Sequence, residues 1–346
     1  MKTVSVMEAV GHVLAHDITE IKPGVCKGRA FRRGHMVRPE DIERLRDLGK
    51  ENLFVLELPP GHLHEDDAVH LLAAALRGPG VEPAGEPREG KINLKASWAG
   101  VLRVNREALF RFNLPGDVTC ATIAGDRFVP AGKVVAGTRA VPLTIPKSRV
   151  EEAAAIARES GGVLRIDPVR EAKVGVIITG NEIHSGRIED AFGPIVREKA
   201  EALSCEIVSS ATAPDDANAI SGEILKAIDR GADLLVTSGG MSVDPDDVTR
   251  EGIRRAGARE IVHGAAILPG SVFAIAYFPG PNGTEIPLLG IPACGIYHKV
   301  TVFDVILPRV LAGERIGREH LAALGHGGLC EGCYPCIYPA CPYGKG

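Results

Sequence analysis

The chain has 346 residues, 45% hydrophobic and 24% charged, enough for two or three domains each with its own core. A formal charge of −4 and an aromatic content of 4% leave neither an electrostatic nor a stacking case for a nucleic-acid partner. No apolar run approaches the ~20 residues that cross a bilayer, and Met1-Lys2-Thr3-Val4-Ser5 lacks the apolar core of a signal peptide, so the expectation is a cytoplasmic protein with no membrane partner.

The spacing of Val6, Ala9, Val10, Val13 and Leu14 predicts a helix within 4–18. His12 and His16, four apart, have metal-ligand spacing, but Asp17 more simply orients an imidazole. Residues 24–58 read as a small β-α-β unit, with a helix opening at Arg38-Pro39-Glu40-Asp41 and stopping at Gly49. Its basic run, Lys27, Arg29, Arg32 and Arg33, reads first as a solvated face and second as a contact for an anion. His62, His64 and His70 surround Glu65-Asp66-Asp67; a surface loop leading into a helix at 68–76 accounts for them more cheaply than a metal. Pro79, Pro83 and Pro87 mark 78–90 as a linker or long loop.

From 91 to 145 short stretches of period two predict strands at 92–96, 100–104, 118–123, 134–136 and 140–145, with Trp98 covering a core edge. A helix at 148–159 and a strand at 163–166 follow. An α/β pattern then takes over: strand 174–178, helix 194–203, strand 206–210, helix 217–229, strand 234–236 and helix 248–256. Strands at 259–263, 271–277 and 286–289 come next, the last two joined at Asn282-Gly283, and a helix at 296–311 contains Pro308. The predicted organisation is a small α+β module (1–77), a β-rich accessory module (91–170), an α/β domain with a mainly parallel sheet and helices on both faces (171–315), and a cysteine-rich tail (320–346).

The densest chemistry is Thr237-Ser238-Gly239-Gly240-Met241-Ser242-Val243-Asp244-Pro245-Asp246-Asp247-Val248-Thr249. Glycines that admit backbone N–H groups, hydroxyls, and carboxylates able to hold a bridging cation suit a phosphorylated ligand with magnesium. Thr179-Gly180-Asn181-Glu182 ends an earlier strand, so both loops face one crevice at the carboxyl ends of a parallel sheet.

Thr179-Gly180-x-Glu182, Gly186-x-Ile188-x-Asp190, Pro214-Asp215-Asp216 and Ser238-Gly239-Gly240-x-Ser242-Val243, followed by Asp247-Val248-Thr249, resemble the molybdopterin-binding domain shared by molybdopterin adenylyltransferase and molybdopterin molybdotransferase. The resemblance covers about 173–313. It implies that molybdopterin or its molybdenum-loaded form meets Thr179, Gly180, Asp215, Ser238, Gly239, Gly240 and Ser242, with Pro269, Gly270 and Pro292 in two later loops. It further implies Asp190 and Asp247 at the acidic positions for magnesium and Glu182 holding substrate, in transferase chemistry of cofactor biosynthesis, metal insertion or delivery. The competing reading of Asp190 and Asp247 is helix capping. The loops Leu268-Pro269-Gly270-Ser271-Val272 and Ile291-Pro292-Ala293-Cys294-Gly295 depart from the molybdotransferase pattern by lacking its Lys and Asn. That departure favours the alternative of a non-catalytic carrier, chaperone or sensor serving a molybdoenzyme. Related domains imply a homo-oligomer.

Cys330, Cys333, Cys336 and Cys341 stand at C-x2-C-x2-C-x4-C, whereas Cys26, Cys120, Cys205 and Cys294 are scattered. Thiolates this dense point to a metal, either an iron–sulfur cluster or zinc.

Overall fold

The computed structural model describes residues 2–22, 26–239 and 248–345. The chain forms two compact units: Met1–Trp98, Leu102–Ile123 and Pro130–Ile166 make the first, and Ala99–Val101, Ala124–Val129 and Asp167–Gly346 the second.

The first unit opens differently from the helix expected over 4–18. Strand Lys2–Ser5 pairs antiparallel with Asn52–Val55, a single 3₁₀ turn follows at Val6–Glu8, and Ile18–Lys22 pairs antiparallel with Cys26–Phe31. Gly11 takes a left-handed φ of 85°, which ends any helix there. Part of that apolar set is buried all the same: Val4, Val6, Ala9, Leu14 and Ile18 share one core with Leu45, Leu53 and Val55, while Val10 is exposed. Helix Asp41–Asp47 forms as expected, with Gly49 left-handed just beyond it.

Helix Glu65–Leu76 is capped by His64, whose Nδ1 accepts the Asp66 N–H at 3.1 Å while its Nε2 pairs with the Ala15 carbonyl. The histidine is buried because it closes a helix end. The long loop expected at 78–90 contributes Val81–Pro83 to the edge of a four-stranded sheet, ordered Val81–Pro83, Lys91–Ala96, Val134–Ala140, Val118–Thr122. Helix Arg106–Asn113 was not legible among the short strands. Asn105 starts it by accepting the Ala108 N–H at 3.0 Å, and Phe112 anchors it in the core. Trp98 lies over Gly80 and donates Nε1–H to the Ile166 carbonyl at 3.2 Å, the edge-covering role expected of it.

The second unit is an α/β domain. Its six-stranded sheet runs Glu206–Ala213, Lys173–Thr179, Leu234–Ser238, Glu285–Ile291, Ala274–Pro279, Glu260–His263. The first four are parallel to one another, Ala274–Pro279 pairs antiparallel with the fourth, and Glu260–His263 pairs antiparallel with Ala274–Pro279. Asn282 and Gly283, both at positive φ, turn the chain between Ala274–Pro279 and Glu285–Ile291 as expected.

Alternation along the strands sends side chains into two cores. Val174, Val176, Ile178 and Val236 meet helices Phe192–Glu201 and Val302–Leu311. Ile177 and Leu235 meet Ala217–Asp229 and Thr249–Arg255. Each fully buried Phe or Ile in these cores contributes about 1.5–3 kcal/mol, and Gly175 permits the close approach, since a Cβ there would lie 2.8 Å from the Ala227 methyl. The helix expected at 296–311 starts later, at Val302, because Thr301 and Asp304 form a capping box; Ala293–Ile296 is a separate 3₁₀ turn.

Candidate functional site

Thr179, Ser238 and Ile291 close three adjacent parallel strands, with Ile178 opposite Ser238 and Ser238 opposite Ile291. Thr179 ties two of these ends together. Its buried Oγ1 donates to the Ser238 carbonyl at 2.6 Å and lies 3.2 Å from Thr249 Oγ1, the first residue of helix Thr249–Arg255. Gly239, at φ 82°, passes so near that a Cβ would come within 2.7 Å of both the Thr179 carbonyl and its hydroxyl. These contacts hold both chain ends flanking the glycine- and aspartate-rich loop. The expectations for Gly240, Ser242 and Asp247 fall within 240–247, outside the described residues.

Ser238 is fully buried, and its hydroxyl has no hydrogen-bond partner among the described residues; neither has that of Thr237. An unpartnered buried hydroxyl costs about 1–3 kcal/mol, which makes the Ser238 Oγ a fitting donor for an anion at the strand end. By alternation it faces the side of helix Phe192–Glu201, while the Thr179–Thr249 pair faces the other.

The remaining predicted residues sort by their partners. Gly180, at φ 142°, donates its N–H to the Ala213 carbonyl at 3.1 Å, which ties the ends of two strands, and the exposed Glu182 carboxylate sits beside it. Asp215 Oδ2 accepts the Asn181 N–H at 3.0 Å and the Asp215 N–H reaches Asn181 Oδ1 at 3.1 Å, so the segments that follow two adjacent strands are clamped together. Asp190 caps helix Phe192–Glu201: Oδ1 accepts the N–H groups of Phe192 and Gly193 at 2.8 and 3.0 Å. The capping reading of Asp190 is therefore the one its hydrogen bonds display. This helix end reaches the same strand ends, since a Cβ on Gly295 would lie 3.2 Å from Ile291 Cγ2 and 3.8 Å from the Phe192 ring.

Pro292 closes strand Glu285–Ile291, and its carbonyl accepts the Gly295 N–H at 2.9 Å. Pro269 and Gly270 have packing partners instead. The Pro269 carbonyl accepts the Tyr343 hydroxyl at 2.7 Å, and Gly270, at φ 123°, presses on Val302, where a Cβ would meet Cγ1 at 2.6 Å. Burial pushes the Cys294 thiol up, away from the thiolate a metal would need.

The cysteine-rich segment is held by its own contacts. Leu268 and Leu329 form a parallel bridge, Cys330 N–H reaches the Leu268 carbonyl at 2.8 Å, and Tyr343 is buried. Cys330 and Cys341 pack against the core and Cys333 is exposed. Among the described residues, no three His, Cys, Asp or Glu side chains are grouped to hold a metal. The same finding covers the histidines of the first unit.

Sequence reasoning passed over Thr249 and Asn181 as site residues. The signal for Thr249 was its place at the first turn of a helix that follows the loop directly.

Residues 175–312 match the sequence profile of the probable molybdopterin binding domain. The second unit belongs to this molybdopterin-binding domain family. Residues 3–57, in the first unit, match the profile of a domain of unknown function. A CinA-like protein of Mycobacterium avium (strain 104) is 34% identical over 96 residues, covering 28% of this chain and 22% of that protein. A CinA-like protein of Mycobacterium tuberculosis is 34% identical over 91 residues, covering 26% and 21% respectively. The match thus spans about a fifth of these relatives' length. Among solved structures, the molybdopterin biosynthesis enzyme MoaB from Thermus thermophilus overlaps with a TM-score of 0.33 at 22% identity, over 41% of this chain and 98% of that one. A molybdenum cofactor biosynthesis protein from Pyrococcus furiosus gives 0.26 at 16% identity, over 91% and 66%. No helix among the described residues is long and apolar enough to cross a membrane.

Proposed function

We propose that the molybdopterin-binding domain takes a pterin phosphate at the carboxyl edge of its sheet and acts in molybdenum-cofactor assembly, metal insertion or delivery. The observation that carries this reading is the Ser238 hydroxyl, buried and without a partner among the described residues, set beside Gly239 at a strand end stitched by Thr179 to the next helix. In this reading the Ser238 hydroxyl donates to a phosphate oxygen, and the Asn181–Asp215 pair holds the adjoining segment in place. Magnesium, when bound, would supply charge neutralisation. Asp247 is the ligand assigned to it, and Asp190 is the weaker candidate, since its carboxylate is committed to its helix.

Calorimetric titration with molybdopterin and with its adenylylated form tests the reading: stoichiometric binding is expected, and a chain that ignores both forms ends it. Incubation with molybdopterin, ATP, magnesium and molybdate then separates transferase from carrier. Asp247→Asn is expected to abolish magnesium-dependent turnover with an unchanged circular dichroism spectrum; full turnover in the variant removes Asp247 from the metal. The carrier reading has its own support, because the Pro269 carbonyl and Gly270 are committed to Tyr343 and Val302 rather than free to meet a substrate.

The cysteine-rich segment adds a separable part of the proposal, a metal held by Cys330, Cys333, Cys336 and Cys341, which binding would have to draw together. Anaerobic purification is expected to yield about one zinc ion or one iron–sulfur cluster per chain. Metal analysis should show it lost in Cys333→Ser/Cys336→Ser, whereas a metal-free parent protein rejects the site.

A further inference from the structure

The first unit contains a cleft of about 810 Å³, lined on one wall by the turn carrying Arg29 and Arg32 and on the other by the hairpin 86–91. A recess of about 290 Å³, lined partly by the same residues, adjoins it. The cleft's size is that of a small-molecule site.

Its charges are unevenly matched. Arg29 is neutralised by Asp17 at 2.7 Å, and Arg33 by Asp66 and Asp67 at 3.4 and 3.1 Å. Arg32, Arg88 and Lys91 line the same space, are exposed, and have no carboxylate partner among the described residues. The nearby carboxylates do not serve them: Glu89 accepts the Thr19 hydroxyl at 2.8 Å, and Glu86, 4.0 Å from His70, is 92% exposed.

The hairpin forces two of these cations together. Arg88 and Lys91 exchange both backbone hydrogen bonds, at 2.9 and 3.0 Å, around a two-residue turn in which Glu89 and Gly90 have φ of 52° and 68°. Directly paired residues of antiparallel strands project to the same face, so Arg88 and Lys91 share one face of the hairpin, where like charges are unfavourable and an anion between them is favoured. The turn cannot relax away. Gly90 donates its N–H to Asp66 Oδ1 at 3.0 Å, and a Cβ there would overlap the Glu65 carboxyl at 2.6 Å.

We infer that this cleft binds a small polyanion carrying two or more phosphate or carboxylate groups, bridged between Arg88 and Lys91 on the hairpin and Arg32 opposite. Asn93 provides a neutral hydrogen-bonding group in the same lining. Guanidinium forks take such groups in bidentate fashion, and the attraction weakens with ionic strength because all three cations are exposed.

The test is calorimetric titration of the full chain with inorganic pyrophosphate and, separately, with citrate. Saturable binding of at least one probe is expected, weakened by raised salt. It should fall at least about tenfold in Arg32→Gln/Arg88→Gln, with the probe-free thermal midpoint of that variant equal to or above the parent's. Pyrophosphate alone binding assigns the phosphate class, and citrate alone the carboxylate class. The inference is overturned if neither probe saturates, or if the double variant binds as tightly as the parent, which would assign the anion to the sheet edge of the second unit instead.

Discussion

Gly239→Ala is expected to weaken pterin binding by at least about tenfold and to lower stability by about 2–4 kcal/mol. Two costs combine. At φ 82° an L side chain is strained, and the new methyl would sit 2.7 Å from the Thr179 carbonyl and hydroxyl. Neither atom can retreat freely, because Thr179 ends a strand paired on both sides and its hydroxyl is bonded to the Ser238 carbonyl. The chain must therefore shift at the end of strand Leu234–Ser238. Urea unfolding and calorimetry with molybdopterin measure the two effects. Gly222→Ala is the control: it lies in helix Ala217–Asp229 with open space around its Cα, and it is expected to raise stability by up to about 1 kcal/mol. Wild-type stability and affinity in Gly239→Ala would mean that the loop does not depend on this close approach.

The second large effect belongs to Glu65. It begins helix Glu65–Leu76 and is only 6% exposed; burial, reinforced by Asp66 and partly opposed by Arg139, pushes its carboxyl from an ordinary value near 4.5 up to about 7. The folded chain then holds a proton that the unfolded chain has released, so this group's contribution is complete below pH 4.5 and declines as pH rises to about 7. The loss amounts to as much as about 3 kcal/mol. Glu65→Gln is expected to recover most of it at pH 8 and to flatten the stability profile between those two values. Unfolding free energies across pH 4–8 check this, and parallel profiles for parent and variant would remove Glu65 as their cause.

The second unit was more legible than the first for a physical reason. Its strands are short continuous apolar runs alternating with amphipathic helices, and the glycine-marked ends of Lys173–Thr179 and Leu234–Ser238 locate the site by topology. In the first unit the spacing of Val6, Ala9, Val10, Val13 and Leu14 suited a helix as well as a strand followed by turns, and Gly11 decided between them. Helix Arg106–Asn113 hid among strands because one buried aromatic ring and an Asn cap, rather than a full apolar stripe, hold it.

From residue order alone came the two loops at strand ends, the likeness of the second unit to its family, and the alternation of strands and helices that builds its sheet. These follow from local periodicity and from residue types whose chemistry needs no distant partner. Tertiary structure alone decided which polar groups are spent and which are left over. Pro269 is used by Tyr343 and Arg29 by Asp17, while the Ser238 hydroxyl, Arg32, Arg88 and Lys91 have no such partner among the described residues. Hydrogen bonds and ion pairs between residues far apart in the chain depend on how the backbone brings them together, and no spacing along the sequence encodes that distance.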